Sequence, residues 1–250
     1  MRVQDRVRAG RALPRREFLK TSLLAVALPA IPHWPWMWSS TDGETPCVRQ
    51  VTVIGVGQGG TRIVDAAQSA SDLPGVRFVS VDRPGWDLSL SLSEVKVGLD
   101  MGFVRGFYHG GDPQVGREGA LRTAGTLKEV LRGTECGVVV AALGGGTGTG
   151  GSPVIARILK ELGALAFGVV TIPFSFKGPR RRGVAEGGVA AIQQEVDELI
   201  VYRNEEVLAG LPRDVLFPVV WQRLDEAVAR IVKDRIRAET FRRPQMRGTG

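Results

Sequence analysis

The stretch Ala141-Ala142-Leu143-Gly144-Gly145-Gly146-Thr147-Gly148-Thr149-Gly150-Gly151 decides the fold. An apolar run, Val138 to Leu143, enters it, and a segment with helical apolar spacing beginning at Pro153 leaves it. That order reads as a buried parallel strand, a tight glycine loop and a helix N-terminus. Glycines without Cβ let the backbone adopt φ > 0 and come close to a ligand. Their amides, together with the positive end of the helix that follows, form an anion site. Thr147 and Thr149 add hydroxyl donors, and the loop is read as a phosphate cradle. A flexible linker would have neither the strand before it nor the helix start after it. No Gly-Lys-Ser/Thr follows, so this is not a Walker loop.

Composition narrows the classes. The chain has 250 residues, 43% of them hydrophobic and 24% charged, which describes a folded protein with one ample core. The net charge of +7 sits at the ends. Residues 1–46 carry 7 basic and 4 acidic side chains, residues 213–250 carry 9 and 5, and the body, 47–212, carries 17 of each. A neutral body is no nucleic-acid platform, and nucleic acid is not expected as a partner.

Residues 1–46 read as a leader and linker rather than part of the fold. Arginines at 2, 6, 8, 11, 15 and 16 precede the short apolar run Leu23–Ala30, a signal-peptide layout. The run is shorter than the roughly 20 residues of a spanning helix. Arg15-Arg16-Glu17-Phe18-Leu19-Lys20 resembles the twin-arginine export motif. Export is therefore the expectation. Membrane contact through residues 18–38, where Trp34, Trp36 and Trp38 suit an interface, and a cytoplasmic location are the alternatives.

From Cys47 the chain alternates strands and helices. Val51-Thr52-Val53-Ile54 is a strand, and Gly55-Val56-Gly57-Gln58-Gly59-Gly60 turns into a helix near Thr61, a pattern that alone fits any Rossmann-like domain. Val76–Asp82 is the second strand and ends on an acid, and Glu94–Leu99 is a short extended piece. Gly106–Gly116 is another glycine-rich loop, including Gly110 and Gly111, followed by a helix over 117–131. After the central loop come a helix over 153–162, a strand over 167–172, a loop over 173–178, a helix over 184–198 and a strand over 199–202 followed by Asn204. A long amphipathic helix over 215–240 has apolar residues at 217, 220, 221, 224, 228, 231 and 232. The pattern predicts an α/β, Rossmann-like parallel sheet with helices on both faces over 47–240 and a tail over 241–250.

Several stretches then line up in order with one family. Val53–Gly60, Phe78–Asp82, Gly110–Gly116, Gly144–Gly150, Lys160–Leu165, Thr171–Gly178 and Glu195–Asn204 resemble the FtsZ branch of the tubulin/FtsZ family, and the run Gly-Gly-Gly-Thr-Gly-Thr-Gly at 144–150 is similar to its signature. The resemblance implies a GTP-binding domain taking GTP or GDP, with or without Mg²⁺. It implies self-association, or association with an FtsZ-like partner, and hydrolysis at the contact between subunits. Carried over residue by residue, it places nucleotide contacts on Gly57, Gln58, Gly59, Gly60, Gly110, Gly111, Gly144, Gly145, Gly146, Thr147, Gly148, Thr149 and Gly150. The family's ribose-contacting Glu falls on Arg157, its phosphate-side Arg on Arg181, and its stacking aromatic on Phe217. No metal ligand and no catalytic residue is assigned.

The departures weigh as much as the matches. The guanine-contacting Asn positions fall on Arg62 and Trp221. The family's second domain and its acidic catalytic loop have no counterpart in this sequence, so the expectation is a GTPase that is weak or inactive by itself. A nucleotide-free assembly module is the alternative, and a dinucleotide redox enzyme with Asp82 on a ribose is a third reading. The last turns of the terminal helix, from about residue 236, are expected to fray. In the family's strand order the first and signature strands are neighbours. Cys47 and Cys136 each precede a loop glycine, Gly55 and Gly144, by the same offset, which implies that the two cysteines are level and close enough to pair.

Overall fold

The computed structural model describes residues 50–69, 73, 75–102, 111–212 and 214–240, all within the unit Gly43–Gly250. The leader, the tail, Cys47 and Gly110 lie outside the described residues.

Six strands form one parallel sheet: β1 (Val51–Val56), β2 (Arg77–Asp82), β3 (Val95–Gly98), β4 (Cys136–Ala142), β5 (Leu165–Ile172) and β6 (Glu198–Arg203). Their order is β3-β2-β1-β4-β5-β6. The helices are α1 (Gly57–Ser69), α2 (Trp86–Leu90), α3 (Pro113–Arg122), α4 (Ala124–Leu131), α5 (Gly146–Glu161), α6 (Pro179–Gln193) and α7 (Phe217–Thr240).

The central strands read as continuous apolar runs because both faces of the sheet are covered. Within β1, Ile54 and Val56 join one core while Val51 and Val53 join the other, as the two-residue period of a strand requires. The first core takes Leu127 and Leu131 of α4, Ile155 and Leu159 of α5 and Ile192 of α6. The second takes Ile63 and Val64 of α1 and Val220, Leu224, Val228, Val232 and Ile236 of α7. The expected doubly covered Rossmann-like sheet is therefore the observed fold.

Three boundaries shift. Helix α5 begins at Gly146, so the signature glycines lie in its first turns and Pro153 sits two turns inside it. Their cost as poor helix formers is offset by close approach to α3. A Cβ at Gly150 would stand 1.8 Å from the Pro113 carbonyl oxygen, and one at Gly116 would stand 2.3 Å from that of Gly146. Helix α3 begins at Pro113, where Asp112 caps it by accepting the Gln114 amide at 2.9 Å. Helix α6 begins at Pro179, which puts Arg180, Arg181 and Arg182 in its first turn.

One premise and one expectation are corrected. The register sets Val51 beside Cys136 and Gly55 beside Val140, so the two loop glycines are not level; the pairing of the cysteines itself falls on Cys47, outside the described residues. Gly55 lies within β1, whereas Gly144 follows the end of β4. Helix α7 runs to Thr240 with Ile236 fully buried, held by Arg235, which bridges Glu198 at 2.9 Å and Glu239 at 3.3 Å. The buried stripe continues where fraying was expected.

Candidate functional site

The cavity at the carboxyl ends of β1, β2, β4 and β5 has a volume of about 640 Å³. In a parallel sheet this is the edge to which helix N-termini point. Four of them converge here. Gly57, Gln58 and Gly59 open α1, Val115 and Gly116 lie in the first turn of α3, Gly146, Thr147 and Gly148 open α5, and Arg180, Arg181 and Val184 lie at the start of α6. Each brings unpaired amides and the positive end of a helix dipole.

The turn between β4 and α5 is built from within. Gly144 has φ of 90°, and a Cβ there would stand 2.8 Å from the Arg181 carbonyl oxygen. Thr149, only 4% exposed, accepts the Gly144 amide on its hydroxyl at 2.9 Å. Gly57 has φ of 71°, and a Cβ on it would press on the Gly148 amide nitrogen at 2.9 Å. Gly145 differs: a Cβ there would meet only the Arg181 guanidinium, at 4.0 Å. The backbone at Gly145 therefore faces open cavity.

Of the residues predicted for the site, Gly57, Gln58, Gly59, Gly111, Gly144, Gly145, Gly146, Thr147, Gly148 and Arg181 line the cavity. Gly60 and Gly150 pack on backbone, Gly60 against the Val140 carbonyl oxygen. Thr149 braces the turn from beneath. Arg157 is three turns along α5 from the loop and pairs with Glu195, whose acidity rises through that hydrogen bond, so it does not reach the cavity. Phe217 stands behind the wall, its ring 5.8 Å from that of Trp221 at 83°.

Other cavity residues carry no individual contact in the sequence reading. Lys177 lines the cavity with its ammonium 5.8 Å from the Trp221 ring centre and 5.6 Å from that of Phe176. Asn204 is 3% exposed, and its buried Oδ1 has no hydrogen-bond partner among the described residues. A buried amide oxygen left unpaired beside a cavity marks a place where a ligand donor fits. The one sequence signal for it was position, immediately after a strand at the ligand end of the sheet. Trp221, on which a guanine-contacting Asn position falls in the resemblance, forms wall: it is half-buried, touches Phe174 edge-on, and carries the Arg62 guanidinium 5.3 Å from its ring.

Charge in the cavity is divided. The acids are all engaged. Asp112 caps α3, Asp225 is paired with Arg62, and Asp82 accepts the Arg83 amide at 2.7 Å and a hydrogen bond from Thr147. Burial holds the Asp82 carboxyl above its ordinary range, against the pull of the Arg83 amide and charge. Burial does the same to Asp225, with Arg62 pulling the other way. Arg180 and Arg181 have no carboxylate partner among the described residues. The arrangement suits a polyanion: glycine amides, four helix ends and two uncommitted guanidinium groups. Among the described residues no three His, Cys, Asp or Glu side chains gather as a metal site.

The profile of the Tubulin/FtsZ family, GTPase domain, matches residues 50–211. Among solved structures, the empty FtsZ dimer from M. jannaschii is 29% identical, with a TM-score of 0.71 over 77% of this chain and 55% of its own. CetZ2 from Haloferax volcanii, a GTPgS-bound protofilament, is 25% identical, with a TM-score of 0.68 over 76% of this chain and 58% of its own. CetZ1 from the same organism, a GDP-bound monomer, is 26% identical, with a TM-score of 0.63 over 72% and 58%. This chain thus spans somewhat more than half the length of the structures it matches.

Proposed function

The chain belongs to the Tubulin/FtsZ family through its GTPase domain, and from that premise we propose that it binds GTP or GDP by the phosphates in the cavity at the start of α5. The observation that carries the reading is the Gly144–Thr147 turn opposite Arg180 and Arg181, cations with no carboxylate of their own among the described residues. Phosphate oxygens supply the missing charge, and the glycine amides donate to them, joined by the Thr147 hydroxyl when it turns from Asp82 to the ligand. Magnesium, where it accompanies the nucleotide, rests chiefly on those phosphates. Equilibrium dialysis of labelled GTP against the full chain and its Gly145→Val variant tests this. A side chain at Gly145 enters the cavity without meeting the fold. Equal binding by both proteins, or none by the wild type, overturns the assignment.

Hydrolysis by the isolated chain is slow in this reading. A general base must be free to accept a proton from the attacking water, and each cavity carboxylate already holds a partner. Self-association follows the relatives, which include a dimer and a protofilament. Sedimentation velocity with and without GTP measures it.

A second reading, a nucleotide-free assembly module, is favoured by Arg62 and Trp221, which put a cation and an indole where the resemblance puts base contacts, and by Arg157, which reverses the charge of its ribose contact. Purification without bound nucleotide, together with no GTP uptake, would select it. Export by the twin-arginine route remains our proposal for the leader, with membrane association through residues 18–38 as the alternative. Fractionation of cells expressing the full chain, beside an Arg15→Lys/Arg16→Lys control, decides between them and a cytoplasmic location.

A further inference from the structure

We infer that phosphates enter this cavity together with a proton, which Asp82 takes up as the Thr147 hydroxyl turns from it to the ligand. This rests on the nucleotide reading above and adds a pH dependence to it.

Asp82 ends β2 on the cavity wall and is 3% exposed. Its Oδ1 accepts the Arg83 amide at 2.7 Å, and the Thr147 hydroxyl donates a second hydrogen bond. Thr147 follows Gly146 in the first turn of α5, where backbone amides have no partner within the helix. A hydroxyl carries a single hydrogen. It serves the carboxylate or a phosphate oxygen, never both.

The other groups around the carboxyl do not make good that loss. Arg83, next to it in the chain, already acts on it through both its amide and its charge, and Asp87 of α2 repels it. Its register partner in β3 is Gly98, and α1 brings only Gly57, Gln58 and Gly59 to the same stretch of wall. Helix α3 adds Asp112, a like charge that caps its own helix, while Arg180 and Arg181 of α6 are the cations that meet the phosphates. Burial holds the Asp82 carboxyl above its ordinary range before any phosphate arrives.

A phosphate adds like charge and removes a hydrogen bond, and both changes favour the neutral carboxyl. The proton comes from solvent. Once protonated, Asp82 is a donor. Its O–H then points at the Thr147 oxygen, and Thr147 gives its own hydrogen to the phosphate. The contact between the two side chains survives with its direction reversed, and no heavy atom has to move. Affinity is therefore highest at low pH. It falls as pH rises through the Asp82 value of the free protein and levels off above that of the complex.

The test is equilibrium dialysis of labelled GDP against the full chain and its Asp82→Asn variant at pH 5, 6.5 and 8, in EDTA so that no divalent cation takes the proton's place. Asparagine stands for the protonated carboxyl at every pH. At pH 8 the wild type binds about fivefold more weakly than the variant, the effect of one nearby like charge. By pH 5 the two dissociation constants converge to within about twofold. Their ratio cancels protons gained or lost by the phosphates or elsewhere on the chain. Asp82→Ser, also neutral, repeats the comparison if Asp82→Asn fails to fold. A ratio that stays constant from pH 5 to pH 8, or widens as pH falls, overturns the inference and leaves the nucleotide reading standing. Absence of GDP binding by every protein at every pH overturns the nucleotide reading and the inference with it.

Discussion

The hydroxyl of Thr149 accepts the backbone amide of Gly144 at 2.9 Å, closing the turn between β4 and α5 on itself. The two threonines of the signature run therefore divide their work. Thr147 lines the cavity, and Thr149 lies beneath it, 4% exposed. Thr149→Val keeps the shape and leaves the buried Gly144 amide unpaired. It should cost about 1–3 kcal/mol of stability in chemical denaturation. Thr147→Ala should leave stability within about 0.5 kcal/mol and weaken phosphate binding instead. The reverse assignment of losses would refute this division.

The glycines of the same run separate by what a Cβ would meet. Gly150→Ala places a methyl 1.8 Å from the Pro113 carbonyl oxygen and forces α3 off α5. Loss of several kcal/mol, or failure to fold, is expected, because overpacking against backbone has no side chain to yield. Gly145→Ala faces only the Arg181 guanidinium at 4.0 Å, in extended backbone that any residue adopts. It should fold with a melting temperature near that of the wild type. A pair of thermal melts distinguishes the two sites.

This contrast also explains what the sequence could disclose. The strand before Gly144 and the anion-binding character of the turn were legible, since apolar runs and glycine clusters are local signals. The start of α5 was not. Glycines are poor helix formers, and what holds Gly146–Gly151 helical is the approach of α3, a tertiary fact. Arg157, to which the resemblance gave a ribose role, lies eleven residues along α5 from Gly146, about 16 Å, and pairs with Glu195 outside the cavity lining. Lys177 and Asn204 received no contact of their own because their importance comes from facing one cavity from two different strand ends.

The pH response follows from Asp82. Its folded-state value lies above the ordinary 3.8 because of burial. The native state thus keeps this proton over a range in which the unfolded chain has released it. The stability it contributes is complete below pH 3.8 and is lost as pH rises through the raised folded value. Asp82→Asn should flatten that part of the stability profile and be more stable than the wild type at pH 7. It should also tighten phosphate binding about fivefold, since removing a nearby like charge is worth about 1 kcal/mol. An unchanged pH profile in urea denaturation between pH 4 and 8 would remove Asp82 from this role.

The far end of α7 supplies the last prediction. Arg235 lies with its guanidinium carbon 3.6 Å from the centre of the Phe167 ring, between Glu198 at 2.9 Å and Glu239 at 3.3 Å. The Arg235 side chain is 15% exposed and that of Glu239 1%, so the second pair is buried. Removing one member of a buried pair leaves the other charge desolvated, at a typical cost of about 3–5 kcal/mol. Arg235→Ala should fall in that range, because it also uncovers Phe167. Replacing both charges together, as Arg235→Met/Glu239→Gln, should recover most of the loss, since the desolvated carboxylate is then gone. The double variant forms a double-mutant cycle with Arg235→Met and Glu239→Gln taken singly. Hydrogen exchange gives an independent check: amides up to Ile236 should be protected in the wild type and become exchangeable in Arg235→Ala. Rapid exchange from 236 onward in the wild type would mean that this end of the helix frays and that the Arg235 bridges contribute nothing to it.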